Sequence, residues 1–375
     1  MGRIEVPAGL ESVVVTTTAV SRIDGDPDSL LYRGYDVQEL AHESSYEEVT
    51  YLILESRLPN PRELEEFTLR LRRARSIPAP RLELLEHLPK KMTPVDALIT
   101  MLSVPEDPGT RPAIFPWDVQ GLAGRLLSES ATIVASFCRA RGGQPVPEPR
   151  ADLGPAANFL YLLRGSAPTP DEERALDQTM LLHADNELNT STFAARVAAS
   201  TGADMVSAVV AGLSTLKGPL HGGASVAVAR QVQEIGSAGN AEAYVERKFS
   251  AGERITGFGH RVYRQEDPRA TVLREISRDL SKSLGRTEPF ATLEALEAAV
   301  RKRKPLPVNL DLYSSCVFQL LEIPPELFTP IFALARMPGW VAHIREEYAQ
   351  RKLVSPLARY TGAEPRKYLP MSQRP

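Results

Sequence analysis

Strand-forming signal is confined to one short stretch near the N-terminus, which leaves helix packing as the means of burying most of this chain's apolar residues. Residues 13–35 hold the β-branched run VVVTTTAV, a Gly25-Asp26-Pro27-Asp28 turn and a second apolar run, LLYRG; this is the pattern of one small hairpin. From Asp36 onward the apolar spacing is helical and the punctuation is capping chemistry. Thr169-Pro170-Asp171-Glu172 is a capping box with proline at the first helical position, and the helix it opens runs toward LLHADNELN. Asp204 caps AVVAGLSTL, which Gly218-Pro219 stops. Asn240 and Asp267 are expected N-caps and Gly252 an expected helix terminator. Residues 105–117 and 142–151, rich in Pro, Gly and charge, read as loops. An apolar helical stretch over 327–343, interrupted by prolines, leads into REEYAQRK and a proline-containing tail expected on a surface or on a partner subunit.

With 375 residues, 43% of them hydrophobic, the chain can bury a full core and is expected to form two domains. Its formal charge of −3, with both signs mixed along the chain, provides no field that gathers nucleic acid or an anionic membrane. Small molecules are the expected partners. Only Cys138 and Cys316 are present, far apart, which argues against a disulfide framework or a zinc site and for a reducing compartment. No HExxH occurs, so no metal is expected. The first residues lack a basic region followed by an apolar stretch, and no apolar run is long enough to span a bilayer; a cytoplasmic location is expected.

Six histidines exist, and two lie in glycine-rich breaks between helices: Gly218-Pro219-Leu220-His221-Gly222-Gly223 and Gly257-Phe258-Gly259-His260. Glycine lets backbone approach a ligand closely, and a helix start offers free N–H groups and a positive dipole end that favour neutral imidazole. A neutral imidazole can donate a hydrogen bond to a developing enolate oxygen, as in the neutral-histidine pattern of triosephosphate isomerase. Either histidine alone could equally satisfy a loop carbonyl. Gly257-x-Gly259 is not a dinucleotide fingerprint, because no third glycine and no βαβ pattern accompany it. His42, His87 and His343 stand in ordinary helical contexts. Asp311, in PVNLDLYS, is an N-cap by residue type. Joined to the two histidines it becomes a base: a carboxylate, a neutral histidine on the enolate oxygen and a second on an electrophilic carbonyl complete a Claisen apparatus.

YRGYDV (32–37), NFLYLL (158–163), LHAD-ELN-STFAARV (182–197), LKGPLHGG (216–223), GFGHRVY (257–263), DPR (267–269), LDLYS (310–314) and GWVAH (339–343) fall in the order of the citrate synthase family, which the chain resembles over nearly its whole length. The resemblance implies a mainly α, two-domain helical fold with a small N-terminal β-hairpin. The large domain would comprise 1–222 and 323–375, and the small domain, 223–322, would close over the active site. It implies an acyltransferase that adds the acetyl-CoA enolate to a 2-oxo acid, with oxaloacetate giving citrate, in the manner of the tricarboxylic acid cycle. His221 would bind the thioester oxygen, Asp311 would remove the α-proton and His260 would activate the ketone. Asn186, Arg269 and Arg336 would hold the 2-oxo acid, and Gly257, Gly259 and Arg264 the CoA. No cofactor is implied beyond acyl-CoA as co-substrate, and the minimum unit is a homodimer. The chain departs from the family pattern in the acceptor site, where Asn186 stands for a second histidine that binds oxaloacetate and Leu357 for an arginine that reaches the neighbouring subunit's substrate, and also at Ser225 and Val226 and in NLDL around Asp311. Propionyl-CoA as donor, a less charged 2-oxo acid as acceptor, and a weakened paralogue serving as a binding or regulatory dimer are the alternatives.

Overall fold

The computed structural model describes residues 7–10, 13–105 and 119–374. The fold is mainly α, as the pattern of caps predicts. Three short antiparallel strands, β1 (Ser21–Gly25), β2 (Asp28–Tyr32) and β3 (Tyr35–Asp36), form the sheet, with Ser21 opposite Tyr32 and Gly25 opposite Asp28. The turn lies where the Gly-Asp-Pro-Asp signal places it, but VVVTTTAV is not its first strand. Residues 13–18 run without strand pairing because their polar groups bind helices instead. Thr18 Oγ1 donates to Glu346 Oε2 at 2.7 Å, the Ala19 N–H donates to Glu346 Oε1 at 2.8 Å, and Arg196 Nη2 donates to Thr16 Oγ1 at 3.0 Å.

The helices that follow are α1 (Val37–Glu43), α2 (Tyr46–Glu55), α3 (Pro61–Arg73), α4 (Ala79–Glu86), α5 (Pro94–Ser103), α6 (Val119–Arg141), α7 (Pro155–Arg164) and α8 (Pro170–His183). They continue as α9 (Thr190–Ser200), α10 (Met205–Leu216), α11 (Ala224–Ile235), α12 (Ala241–Ser250), α13 (Pro268–Ser283), α14 (Glu288–Arg303), α15 (Leu310–Leu320) and α16 (Phe328–Gln350). The capping box at Thr169 forms with both of its bonds, and Asp204 and Asp267 cap their helices. Gly252, at φ +70, ends α12. Asn240 does not cap α12; its side-chain amide donates to Ile235 O at 2.9 Å and closes the end of α11. Residues 142–150 form a loop, whereas most of the predicted 105–117 loop lies outside the described residues.

Helix α16 is the axis of the core. Every residue from Pro330 to Ile344 is buried, so the helix is enclosed on all sides rather than half exposed, and α2, α5, α6, α8, α9, α10 and α11 pack on it. Pro338 sits inside it without ending it. Gly339 permits the closest approach: a Cβ there would lie 2.3 Å from Asp185 Oδ1 and 2.5 Å from Ala184 O. Thus α16 fixes the loop after α8. Among the described residues no helix is long and apolar enough to cross a membrane, and no group of His, Cys, Asp and Glu could hold a metal ion.

Two glycine substitutions test this packing. Gly339→Ala is expected to lower unfolding free energy by about 2 kcal/mol through overpacking. Gly124→Ala, within α6 and with nothing in contact range of the added methyl, is expected to raise it by about 0.5–1 kcal/mol. Urea unfolding followed by circular dichroism distinguishes the signs.

Candidate active site

Two glycine- and proline-rich breaks, 50 residues apart in sequence, are stitched together by backbone bonds. The Gly259 N–H donates to Pro307 O at 2.7 Å, the Asn309 N–H donates to Gly257 O at 3.0 Å, and Phe258 bridges Val308. Asn309 Nδ2 adds a bond to Gly259 O at 3.1 Å. Gly257 and Gly259 adopt φ +94 and +90, the left-handed region where glycine carries no steric cost. At Gly257 a Cβ would also sit 2.7 Å from Leu312 Cδ1. This stitching sets His260 across from the start of α15. Asp311 is not its N-cap. Asn309 is, accepting from the Asp311 N–H at 3.1 Å, and this leaves the Asp311 carboxyl to point elsewhere.

Where it points is a cavity of about 480 Å³ lined by His221, His260, Asp311, Asn186, Arg269 and Arg336, together with Gly259 and Arg261. The cavity lining therefore gathers all three predicted catalytic residues and the three predicted acceptor residues. Arg264 stands exposed further along the same loop, and of that loop's arginines it is Arg261 that lines the cavity.

Burial governs the charge states. The Asp311 carboxyl is pushed up to about 7 by loss of water, with Arg269 opposing and Asp267 reinforcing that shift; its Oδ1 is buried without a hydrogen-bond partner. Burial also drives both histidines down to about 4, aided by Arg336 at His221, so both are neutral at pH 7. For His260 the geometry fixes the tautomer as well. Nδ1 accepts from the Val262 and Tyr263 N–H groups at 3.2 and 3.1 Å, which leaves the proton on Nε2. At His221, Nε2 lies 2.9 Å from Ser191 Oγ, which also reaches Asn189 Oδ1 at 2.7 Å. The single hydroxyl proton of Ser191 serves one of these, and when it goes to Nε2 the imidazole keeps its own proton on Nδ1.

The two arginines differ. Arg269 donates through Nε and Nη2 to both oxygens of Asp267, at 2.9 and 2.7 Å, so its charge is already balanced. Arg336 is buried, donates Nε to His183 O at 2.6 Å, stacks over Phe332 and forms no ion pair among the described residues. Its Nη1 has no hydrogen-bond partner, and burial pulls its pKa down to about 10. Asp185 and Asp311 act on it only through their field, and a buried cation without a direct ion pair is costly. The site is therefore built to receive an anion.

The chain's similarity to known proteins agrees with this chemistry. The family model for the citrate synthase C-terminal domain matches residues 9–359. The chain belongs to the citrate synthase family. It is 42% identical to citrate synthase 2 of Bacillus subtilis, over 98% of each chain, and 35% identical to 2-methylcitrate synthase of Shewanella oneidensis, again over 98% of each. It also superposes, with TM-score 0.90 and 31% identity over 99% of this chain and 100% of the other, on the citrate synthase of the thermophilic archaeon Thermoplasma acidophilum, solved as a ternary complex with carboxymethyl coenzyme A and oxaloacetate.

The site also depends on residues that the sequence alone did not single out. Ser191, the second residue of α9, orients His221 and accepts from Trp340 Nε1 at 3.2 Å. The Asn189-Thr190-Ser191 cap signal could have drawn attention to it. Ser21, Asp185 and His343 together fix the loop carrying Asn186: Ser21 donates to Asp185 Oδ2, which lies 3.2 Å from His343 Nε2. The Glu187 N–H, at φ +49, donates to Ser21 Oγ at 2.8 Å. No local pattern joins residues so far apart in sequence.

The Asp311 shift is open to direct observation. A carboxylic-acid stretch in the infrared difference spectrum between the wild type and Asp311→Asn is expected at about pH 5 and is expected to be gone by about pH 9. A band already absent at the lower pH would contradict the burial argument.

Proposed function

We propose that this chain condenses acetyl-CoA with oxaloacetate to give citrate and free CoA. The observation that carries the reading is the shared lining in which a buried carboxyl, two neutral imidazoles and a buried guanidinium outside any direct ion pair among the described residues face one cavity. Asp311 as carboxylate takes the α-proton of the thioester while His221 donates to the thioester oxygen, so that charge developing on the enolate meets a fixed donor. The enolate carbon then attacks the ketone carbon of the acceptor, and the His260 Nε2–H is placed to stabilise the alkoxide oxygen. Water attacks the resulting thioester carbonyl, the C–S bond breaks, and the thiol leaves as CoA. Arg336, and Arg269 supported by Asp267, hold the acceptor's carboxylates. The Gly257-to-Arg264 loop receives the CoA.

In this reading the part formed by 223–322 closes over the remainder and excludes water before the intermediate is exposed. The working unit is a homodimer. Leu353, Leu357, Tyr360, Tyr368 and Met371, exposed along the C-terminal tail, support this as apolar surface suited to a second subunit. The free thiols Cys138 and Cys316 suit a reducing cytoplasm.

A second reading keeps the chemistry and changes the acceptor. Asp267 neutralises Arg269, Asn186 is uncharged and Leu357 is fully exposed in the tail, which leaves Arg336 as the acceptor-site arginine without a direct ion pair among the described residues and suits a 2-oxo acid with one carboxylate.

Thiol release by the purified chain distinguishes these readings. With acetyl-CoA, oxaloacetate is expected to be preferred over pyruvate and 2-oxobutyrate, and acetyl-CoA over propionyl-CoA; preference for a monocarboxylate favours the second reading, and no release with any pair defeats both. Asp311→Ala is expected to cut kcat by about 10²–10⁴-fold. In the wild type, kcat/KM is expected to fall as pH drops below about 7, because the base is lost as Asp311 gains its proton; an acid limb near the ordinary carboxylate range would remove Asp311 from that role.

A further inference from the structure

The tip of the β1–β2 hairpin touches the His260 loop from outside. Asp28, the first residue of β2, accepts three successive backbone N–H groups: Arg264 at 3.0 Å, Gln265 at 2.7 Å and Glu266 at 2.9 Å. Such a run of N–H groups forms a concave anion site, and a carboxylate in it makes charge-assisted bonds. Gly25, paired with Asp28 across the turn, lies so close to the loop that a Cβ there would meet Val262 O at 2.5 Å. On its inner side the same segment holds the imidazole. Val262 and Tyr263 donate their N–H groups to His260 Nδ1, and the Tyr263 ring stacks on it with centroids 4.2 Å apart. One layer of backbone, residues 262–266, thus separates the hairpin tip from His260. Among the described residues no other side chain reaches these three N–H groups, and Asp28 alone bridges the hairpin to them.

We infer that Asp28 is a positioning residue for His260: it clamps residues 262–266 so that Val262 and Tyr263 keep the imidazole in its Nε2–H form, aimed into the cavity. This rests on the reading of His260 as the group that polarises the acceptor's carbonyl. Charge supports the geometry: burial, the largest single effect, pushes the Asp28 carboxyl up, yet the three N–H bonds together hold it below the usual carboxylate range. Asp28 itself touches no substrate. Its effect on catalysis passes through the loop.

Amide hydrogen exchange and steady-state kinetics on the full chain test the clamp. In Asp28→Ala the amides of 264–266 are expected to exchange at least about tenfold faster. There kcat is expected to fall about tenfold through misplacement of His260, with KM for acetyl-CoA within about twofold and the thermal midpoint unchanged. Asp28→Asn, which retains an acceptor oxygen, is expected to recover most of both the protection and kcat. Unchanged exchange at 264–266 in Asp28→Ala overturns the clamp. So does faster exchange with wild-type kcat, or a fall in kcat accompanied by a lowered thermal midpoint. Should the wild type release no thiol from any substrate pair, the functional reading fails, while the exchange measurement still decides whether Asp28 holds the loop.

Discussion

The buried carboxylate of Asp267 is the interaction on which the site depends. It caps α13 through the Arg269 N–H, holds the Arg269 guanidinium with both oxygens and accepts the Leu310 N–H at the start of α15 at 3.3 Å. Its own N–H donates to Val308 O at 3.0 Å. One residue thereby ties the acceptor arginine, the helix bearing the base and the strand-like stretch beside the His260 loop. A wholly buried carboxylate persists only with such a set of donors, because each unsatisfied lone pair would cost free energy in a low-dielectric interior.

Burial rather than helix polarity makes the two histidines neutral. The positions in glycine-rich breaks suggest a helix-dipole effect, yet the largest cause at both His221 and His260 is loss of water. The same desolvation raises Asp311. A single physical condition, a site withdrawn from solvent, moves base and donors in opposite directions and brings both to the forms the reaction needs near neutral pH. Arg336 bears the same desolvation, which lowers its pKa although the charges of Asp185 and Asp311 oppose that shift.

Much of the fold was legible. Caps at Thr169, Asp204 and Asp267 are local hydrogen-bond patterns, and they form as written. The failures have long-range causes. VVVTTTAV has strand propensity, but Arg196 and Glu346, distant in sequence, take its polar groups. Asn240 has cap chemistry, but its amide turns to the end of the preceding helix and donates to Ile235 O instead. Asp311 has N-cap chemistry, but Asn309 takes that place two residues earlier.

By itself the sequence determined the helical class, the turn at Gly25-Asp26-Pro27-Asp28 and the identity of the groups able to do acid–base chemistry, because capping, turn formation and side-chain type act over a few residues. Tertiary structure decided which of those groups are active and in which state. Only the joining of 257–260 to 307–309 sets His260 against Asp311, and only their common removal from water fixes their protonation. Neither proximity across 50 residues nor desolvation is a property of any short segment.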